Sequence, residues 1–283
     1  MDNQFIISGF SDEIDPMIEK QFKHLNMLGI SYFEPRGIDG KNIADLDDAE
    51  VASLKERMDR YGIKVSSIGS PIGKIGINDP FETHLEKLKR VIKIAKAMGT
   101  TYIRVFSFFI PKGDSAEDYR DEVMSRMKKM VELAEKENVI LLHENEKEIY
   151  GDVAERCLDI LKTINSPNLK AVFDPANFIQ CGQKVYPDAF ELLKPYIEYM
   201  HIKDAVENGG VVPAGYGIGS VKKIISDLKN MGYRGFLSLE PHLGSFTGLA
   251  DLELSDKMLD LEKSTPDKFT YAYESLTKIL KEI

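Results

Sequence analysis

Short runs of apolar and β-branched residues alternate along this chain with longer stretches whose apolar positions recur at helical spacing. The runs Phe5 to Gly9, Tyr32 to Pro35, Lys64 to Ile68, Tyr102 to Ser107, Ile140 to Asn145, Ala171 to Asp174, Tyr199 to Lys203 and Phe236 to Glu240 read as eight strands. Between them apolar residues fall three, four and seven apart, as at Ile18, Phe22 and Leu25 or Leu88, Val91, Ile92 and Ala95, which predicts amphipathic helices. Several of these helices run into glycine just before a strand, at Leu28-Gly29, Tyr61-Gly62, Met98-Gly99 and Met231-Gly232. A left-handed helix cap costs glycine least, so the repeating unit is helix, glycine, strand.

Strands joined by helix-length crossovers must run parallel, and right-handed crossovers put every helix on the outside if the sheet closes. Eight such units predict the α/β class and a closed (β/α)8 barrel, which commonly uses about 250 residues. An open doubly wound sheet is the alternative, but Gly9-Phe10-Ser11 after the first strand lacks its glycine fingerprint. The run Gly215-Tyr216-Gly217-Ile218-Gly219 comes late and reads as a loop opening a helix. No linker divides the chain, so residues 1–283 are expected to form a single barrel domain. One irregular insertion, about 243–268, follows the last strand and is expected to act as a lid or a packing arm.

With 43% hydrophobic residues among 283 there is ample material for a large core, and no apolar stretch is long enough to span a membrane. The N-terminus lacks the basic start and cleavage site of a secretory signal, and there are two cysteines, Cys157 and Cys181. Both features point to a reducing, cytoplasmic setting. A net charge of -9 argues against nucleic acid as a partner, because such binding draws on lysine and arginine. The basic cluster Lys87 to Lys96 is spaced like the solvated face of a helix.

The C-terminal ends of barrel strands are where such folds carry chemistry. Four polar residues end consecutive strands after apolar runs: Glu144, Asp174, His201 and Glu240. Taken singly, each has an ordinary structural explanation; Asp174-Pro175, for example, is also a good helix start. Taken together, three carboxylates at one rim repel one another unless a cation joins them. One divalent metal ion resolves that conflict, and the oxygen-rich set suits Mn, Mg or Co at least as well as Zn.

The segments Leu142-His143-Glu144-Asn145, Phe173-Asp174-Pro175-Ala176-Asn177, Tyr199-Met200-His201-Ile202-Lys203-Asp204-Ala205 and Leu237-Ser238-Leu239-Glu240-Pro241 resemble the xylose isomerase-like TIM barrels. That family includes ketose 3-epimerases, hydroxypyruvate isomerase, inosose dehydratase and endonuclease IV, and the resemblance spans essentially the whole chain. It implies that Glu144, Asp174, His201 and Glu240 are the metal ligands, and that Glu144 and Glu240 are also the catalytic acid and base on opposite faces of a bound ketose. Two positions depart from the pattern. Where many relatives carry a substrate-side His, this chain has Asn177, which cannot titrate near neutrality, and Tyr216 stands where a Glu is common.

Further candidates lie around the rim. Glu34 and Arg36 resemble the family's second-strand motif and are expected either to bond sugar hydroxyls or to form an ion pair. Lys203 shares a strand face with His201 and joins Glu34 and Asn177 as a substrate-binding candidate. Arg104 points in or out according to register, His143 faces away from Glu144, and His242 sits just past the last strand. The leading expectation is a metal-dependent isomerase or epimerase acting on a small-molecule carbohydrate or cyclitol through an enediolate. An inosose-type dehydratase using the same site is the alternative, and a non-catalytic sugar-binding protein stands behind both. A repair endonuclease needs more strand-end histidines than five allow, with His24 and His84 in helices. Exposed barrel helices often pair, which makes a homodimer the working expectation.

Overall fold

The computed structural model describes residues 4–246 and 262–283. Eight parallel strands form the barrel. They are β1 (Ile6–Gly9), β2 (Tyr32–Phe33), β3 (Lys64–Val65), β4 (Tyr102–Val105), β5 (Ile140–Glu144), β6 (Leu169–Phe173), β7 (Ile197–Ile202) and β8 (Phe236–Leu239). The order β1-β8-β7-β6-β5-β4 is continuous, and β2 pairs β3 in register Tyr32↔Lys64. Single bonds close the ring. Glu34 N–H donates to the Gly9 carbonyl at 2.9 Å, and Ile68 bridges Ile103, with Arg104 N–H donating to the Ile68 carbonyl at 3.0 Å. The expected (β/α)8 TIM barrel is therefore observed; β2 to β8 end one to three residues short of the expected bounds, and β6 and β7 begin two residues earlier.

The outer helices are α1 (Ile18–Met27), α2 (Asp48–Tyr61), α3 (Phe81–Met98), α4 (Arg120–Glu137), α5 (Ala154–Ile164), α6 (Pro175–Gln180), α7 (Phe190–Leu193), α8 (Val221–Asn230) and α9 (Pro266–Lys281). Local chemistry sets their ends. Asp47 and Glu50 form a reciprocal capping box at the start of α2, and Gly62 ends it with φ 66°, as the helix–glycine–strand pattern predicts. Asn138 and Asn165 fill the same left-handed cap after α4 and α5. Because α9 begins at Pro266, the expected insertion ends earlier than position 268. Residues 247–261, which hold most of it, lie outside the described residues.

Two apolar layers follow from the strand alternation. Outward residues such as Leu141, Phe173, Met200 and Leu237 pack under the helices, whereas Leu142, Val172 and Tyr199 fill the barrel interior with Tyr102, Ile140 and Phe236 around them. Above that small plug the interior turns polar. Ser8, Glu34, Ser66, Tyr199 and Ser238 are all buried, with Tyr199 Oη and Ser238 Oγ donating to Glu34 Oε2 at 2.9 and 2.8 Å. The next layer up is the mouth. Among the described residues, no helix is long and apolar enough to cross a membrane.

Candidate metal and active site

Each strand from β5 to β8 delivers one side chain to a common point. Glu144 ends β5, His201 lies one residue before the end of β7, and Asp174 and Glu240 directly follow β6 and β8. All four are buried, and each offers one ligand atom within 4.8 Å of the others. His201 Nδ1 lies 2.8 Å from Glu144 Oε1, 3.4 Å from Glu240 Oε2 and 3.9 Å from Asp174 Oδ2. Its other nitrogen, Nε2, faces Glu34 Oε2 at 3.3 Å without the alignment of a hydrogen bond. An imidazole backed by a carboxylate is the usual orientation device for a metal-binding histidine.

Asp174 serves two purposes, as its Pro175 neighbour suggests. Its Oδ1 caps α6 by accepting from Asn177 N–H at 3.0 Å. Its Oδ2 completes no hydrogen bond, although the Lys203 ammonium stands 3.1 Å away. The Asn145 side chain braces the same point, accepting from Asp174 N–H at 3.0 Å and donating to the Asp174 carbonyl at 2.9 Å.

The electrostatics are strained in the direction a cation would relieve. Six buried carboxylates (Asp12, Glu13, Glu34, Glu144, Asp174 and Glu240) lie around the mouth with the cations Arg36, Arg104 and Lys203, beside a further buried pair, Glu146 with Lys74. Burial, reinforced by Glu240 and Glu144, outweighs the attraction of Lys203 and pushes Asp174 up to about 7. Burial also works to raise Glu240, but Lys203, His242 and His201 overcome it and hold this carboxyl well below the usual range. For His201, burial opposes the charge, yet Glu144, Glu34 and Glu240 raise its pKa well above that of a free imidazole. That proton and a divalent cation would compete for the same place. The hard oxygen donors, the one imidazole and the unbonded Asp174 Oδ2 all fit such an ion.

The rim residues sort themselves by geometry. Glu34, expected at the rim, is buried behind His201, with Oε2 accepting from Tyr199 and Ser238 and Oε1 taking no hydrogen bond among the described residues. Lys203 faces the site, 2.8 Å from Glu240 Oε2. Asn177 Nδ2 donates to Glu144 Oε1 at 3.3 Å and to the Asn145 carbonyl at 2.8 Å. Arg104 points inward and its Nη1 donates to Glu144 Oε2 at 3.2 Å, lying 3.6 Å from Glu240 Oε1. Arg36 forms an ion pair with Asp12. His143 turns outward and is buried against Gly151, where burial lowers its pKa to about 4. His242 backs Glu240, with Nε2 3.4 Å from Oε1.

Sequence reasoning missed four contributors. Asp12 and Glu13 follow β1 in a short turn, and their only trace was two acids just past a strand end. Burial, first of all, pushes Glu13 up to about 8 against the pull of Arg36. Glu146 pairs with Lys74 at 3.1 Å; burial opposes its charge, but Lys74, Lys147 and Lys203 bring it down to about 2. Asp204 accepts from the backbone N–H groups of Ala205, Gly215, Gly217 and Gly219 at 2.8–3.1 Å, which ties down the glycine loop. A Cβ at Gly217 would meet the Ala205 carbonyl at 2.2 Å, so this loop cannot accept a side chain there without moving.

A parallel eight-stranded barrel with a carboxylate–imidazole group at the C-terminal ends of β5 to β8 defines the class of protein. Residues 22–260 match the family described as the xylose isomerase-like TIM barrel, and the chain belongs to that family. A 3-dehydroshikimate dehydratase of Bacillus anthracis is 26% identical over 184 residues, an alignment covering 59% of this chain and 65% of that protein. The chain thus spans less than two thirds of that relative's length. The IOLI protein, solved with a zinc atom, superposes with a TM-score of 0.75 at 16% identity, covering 98% of this chain and 99% of that one. A D-allulose 3-epimerase from Methylomonas sp., in complex with D-allulose, gives 0.73 at 18% identity over 99% and 97% of the two chains. At these identities the structural likeness speaks for the fold.

Proposed function

We propose that this chain is a divalent-metal-dependent isomerase or epimerase that shifts a proton beside the carbonyl of a sugar, ketose or cyclitol. The observation that carries the reading is the convergence of Glu144, Asp174, His201 and Glu240 within 4.8 Å at the barrel mouth. These four residues would hold the ion, with Glu34 behind the imidazole. A divalent cation bound there would polarise a substrate carbonyl and stabilise negative charge developing on its oxygen.

Glu240 is the base in this reading. Lys203, His242 and His201 keep it ionised despite burial, so it can accept the proton from the carbon next to the carbonyl. That bond breaks as the electron pair moves toward the carbonyl oxygen, giving an enediolate. Glu144, whose Oε2 shares Arg104 Nη1 with Glu240, would enter the cycle carrying a proton taken from solvent, deliver that proton and be left ionised, while Glu240 keeps the abstracted one until it exchanges with solvent. Return to the same carbon from the opposite face inverts the centre; return to the neighbouring carbon interconverts ketose and aldose. Asn177 holds Glu144 in place and carries no proton of its own to exchange near neutrality. Lys203 would contact a substrate oxygen.

The kinship to a 3-dehydroshikimate dehydratase favours a second reading on the same residues. After the same proton abstraction, the β carbon–oxygen bond breaks and the hydroxyl leaves as water once protonated, forming a carbon–carbon double bond. Elemental analysis of the purified protein beside Glu240→Gln and His201→Ala, followed by deuterium wash-in with the metal-loaded form, tests both readings. Near-stoichiometric metal lost in the variants, with solvent deuterium entering a ketose or cyclitol, is the expected result. An unsaturated product in place of a deuterated isomer would move the assignment to the dehydratase. A wild type unable to take up Mn²⁺, Mg²⁺, Co²⁺ or Zn²⁺ would sink the proposal.

A further inference from the structure

We infer that Asp12, Arg36 and Arg104 are positioning residues, which turn a single oxygen of Glu240 and of Glu144 toward the metal group by means of an alternating ring–guanidinium stack across the barrel mouth. The inference rests on the metal site proposed above. The stack runs Phe246, Arg36, Phe10, Arg104, Phe106. Arg36 Cζ lies 4.1 Å from the Phe246 centroid and 4.5 Å from that of Phe10, and Arg104 Cζ lies 4.8 Å from Phe10 and 4.9 Å from Phe106. A guanidinium between two rings keeps its charge and its in-plane hydrogen bonds while losing freedom to tilt.

The in-plane bonds then have fixed targets. Asp12 takes Arg36 Nε and Nη2 at 2.9 and 3.0 Å, which leaves Nη1 to donate to Glu240 Oε1 at 3.1 Å. Arg104 Nη1 donates to Glu144 Oε2 at 3.2 Å. Each glutamate therefore gives one oxygen to an arginine and turns the other inward. Glu240 Oε2 faces Lys203 Nζ at 2.8 Å and His201 Nδ1 at 3.4 Å, and Glu144 Oε1 faces His201 Nδ1 at 2.8 Å. Glycines make room for this packing. A Cβ at Gly37 would sit 2.9 Å from Asp12 Oδ2, and one at Gly69 would sit 2.6 Å from the Phe10 ring. Lysine cannot substitute for Arg36, because one ammonium cannot span Asp12 and Glu240 in a single plane.

Mn²⁺ titration followed by electron paramagnetic resonance, on wild type, Asp12→Asn and Arg36→Lys, tests this role. Asp12→Asn keeps the shape of the side chain and serves where Arg36→Lys folds poorly; thermal melts monitor both. The expected result is one Mn²⁺ per chain, held about 10–100-fold more weakly in the variants, with a changed zero-field splitting as Glu240 gains freedom to use both oxygens. Variants that bind within twofold of wild type with an unchanged spectrum, even with lowered melting temperatures, would overturn the positioning role and leave the metal site standing. A wild type that binds no Mn²⁺ would overturn the proposed function and this inference together.

Discussion

The two halves of the barrel mouth are built differently. From β5 to β8 the strands run four to six residues and pair along their length, with one bulge between β6 and β7 at Ala171/Val172, and each brings a ligand-type side chain to its end or to the next residue. From β1 to β4 the ladder breaks down to two-residue pairs and single bridges, and Pro35, lacking an N–H donor, lies two residues past β2. This second half carries the rings and arginines. Strand pairing brings the acids to one point through the backbone. Arg104 is placed by the regular pairing of β4 with β5, whereas Arg36, on irregular backbone past β2, is held by stacking and by a bidentate carboxylate, so there packing substitutes for register.

The largest effect is expected on the acidic side. Glu240→Gln should lower turnover about 10²–10⁴-fold, the range of a lost general base, measured as solvent deuterium incorporation at fixed metal. If it melts the protein without slowing turnover, the acidic half is structural. On the other side, Phe10→Ala removes a fully buried ring that touches both arginines and packs edge-on to His201 at 5.1 Å. A loss of about 3–5 kcal/mol is expected from denaturant unfolding, the usual cost of such a truncation. A loss below 1 kcal/mol would show that the stack does not hold its half of the mouth.

A smaller effect is expected where the halves meet. Tyr199→Phe removes a donor to buried Glu34, and about 1–3 kcal/mol of stability should go with it, together with weaker Mn²⁺ binding as the support behind His201 slackens. Unchanged calorimetric titrations would separate Glu34 from the metal group.

The mildest prediction concerns pH and the turn after β1. Glu13 is pushed up to about 8 from 4.5, so between those values the folded chain keeps a proton that the unfolded chain has lost. The unfolded state binds fewer protons there, and stability from this group, fully present below pH 4.5, should decline as pH rises through about 8. Glu13→Gln should flatten that slope in melts across the window. An unaltered slope would mean that another group sets it.

Much of this was legible because it is local. Strand alternation and helix spacing mark all eight units, and a polar residue after each apolar run singles out Glu144, Asp174, His201 and Glu240. Arg104 was visible as a residue but not as a contact, since one step of register decides whether it meets Glu144 or points under the outer helices. Asp204 was hidden for another reason: its partners are backbone N–H groups spread over residues 205–219, and no side-chain pattern records a carbonyl or an amide. Glu34 read as a rim residue because strand position gives a face but only loosely a depth.

By itself, then, the sequence determined the order and type of the elements and the chemical identity of the four residues at the strand ends, because periodicity and turn chemistry act over a few neighbours. Only the tertiary structure decided which oxygen of each glutamate faces inward. The bond from Arg36 to Glu240 joins residues 204 apart in the chain, and it exists because barrel closure brings β1, β2 and β8 together. Contacts of that kind depend on the whole ring being shut, and nothing short of the closed ring encodes them.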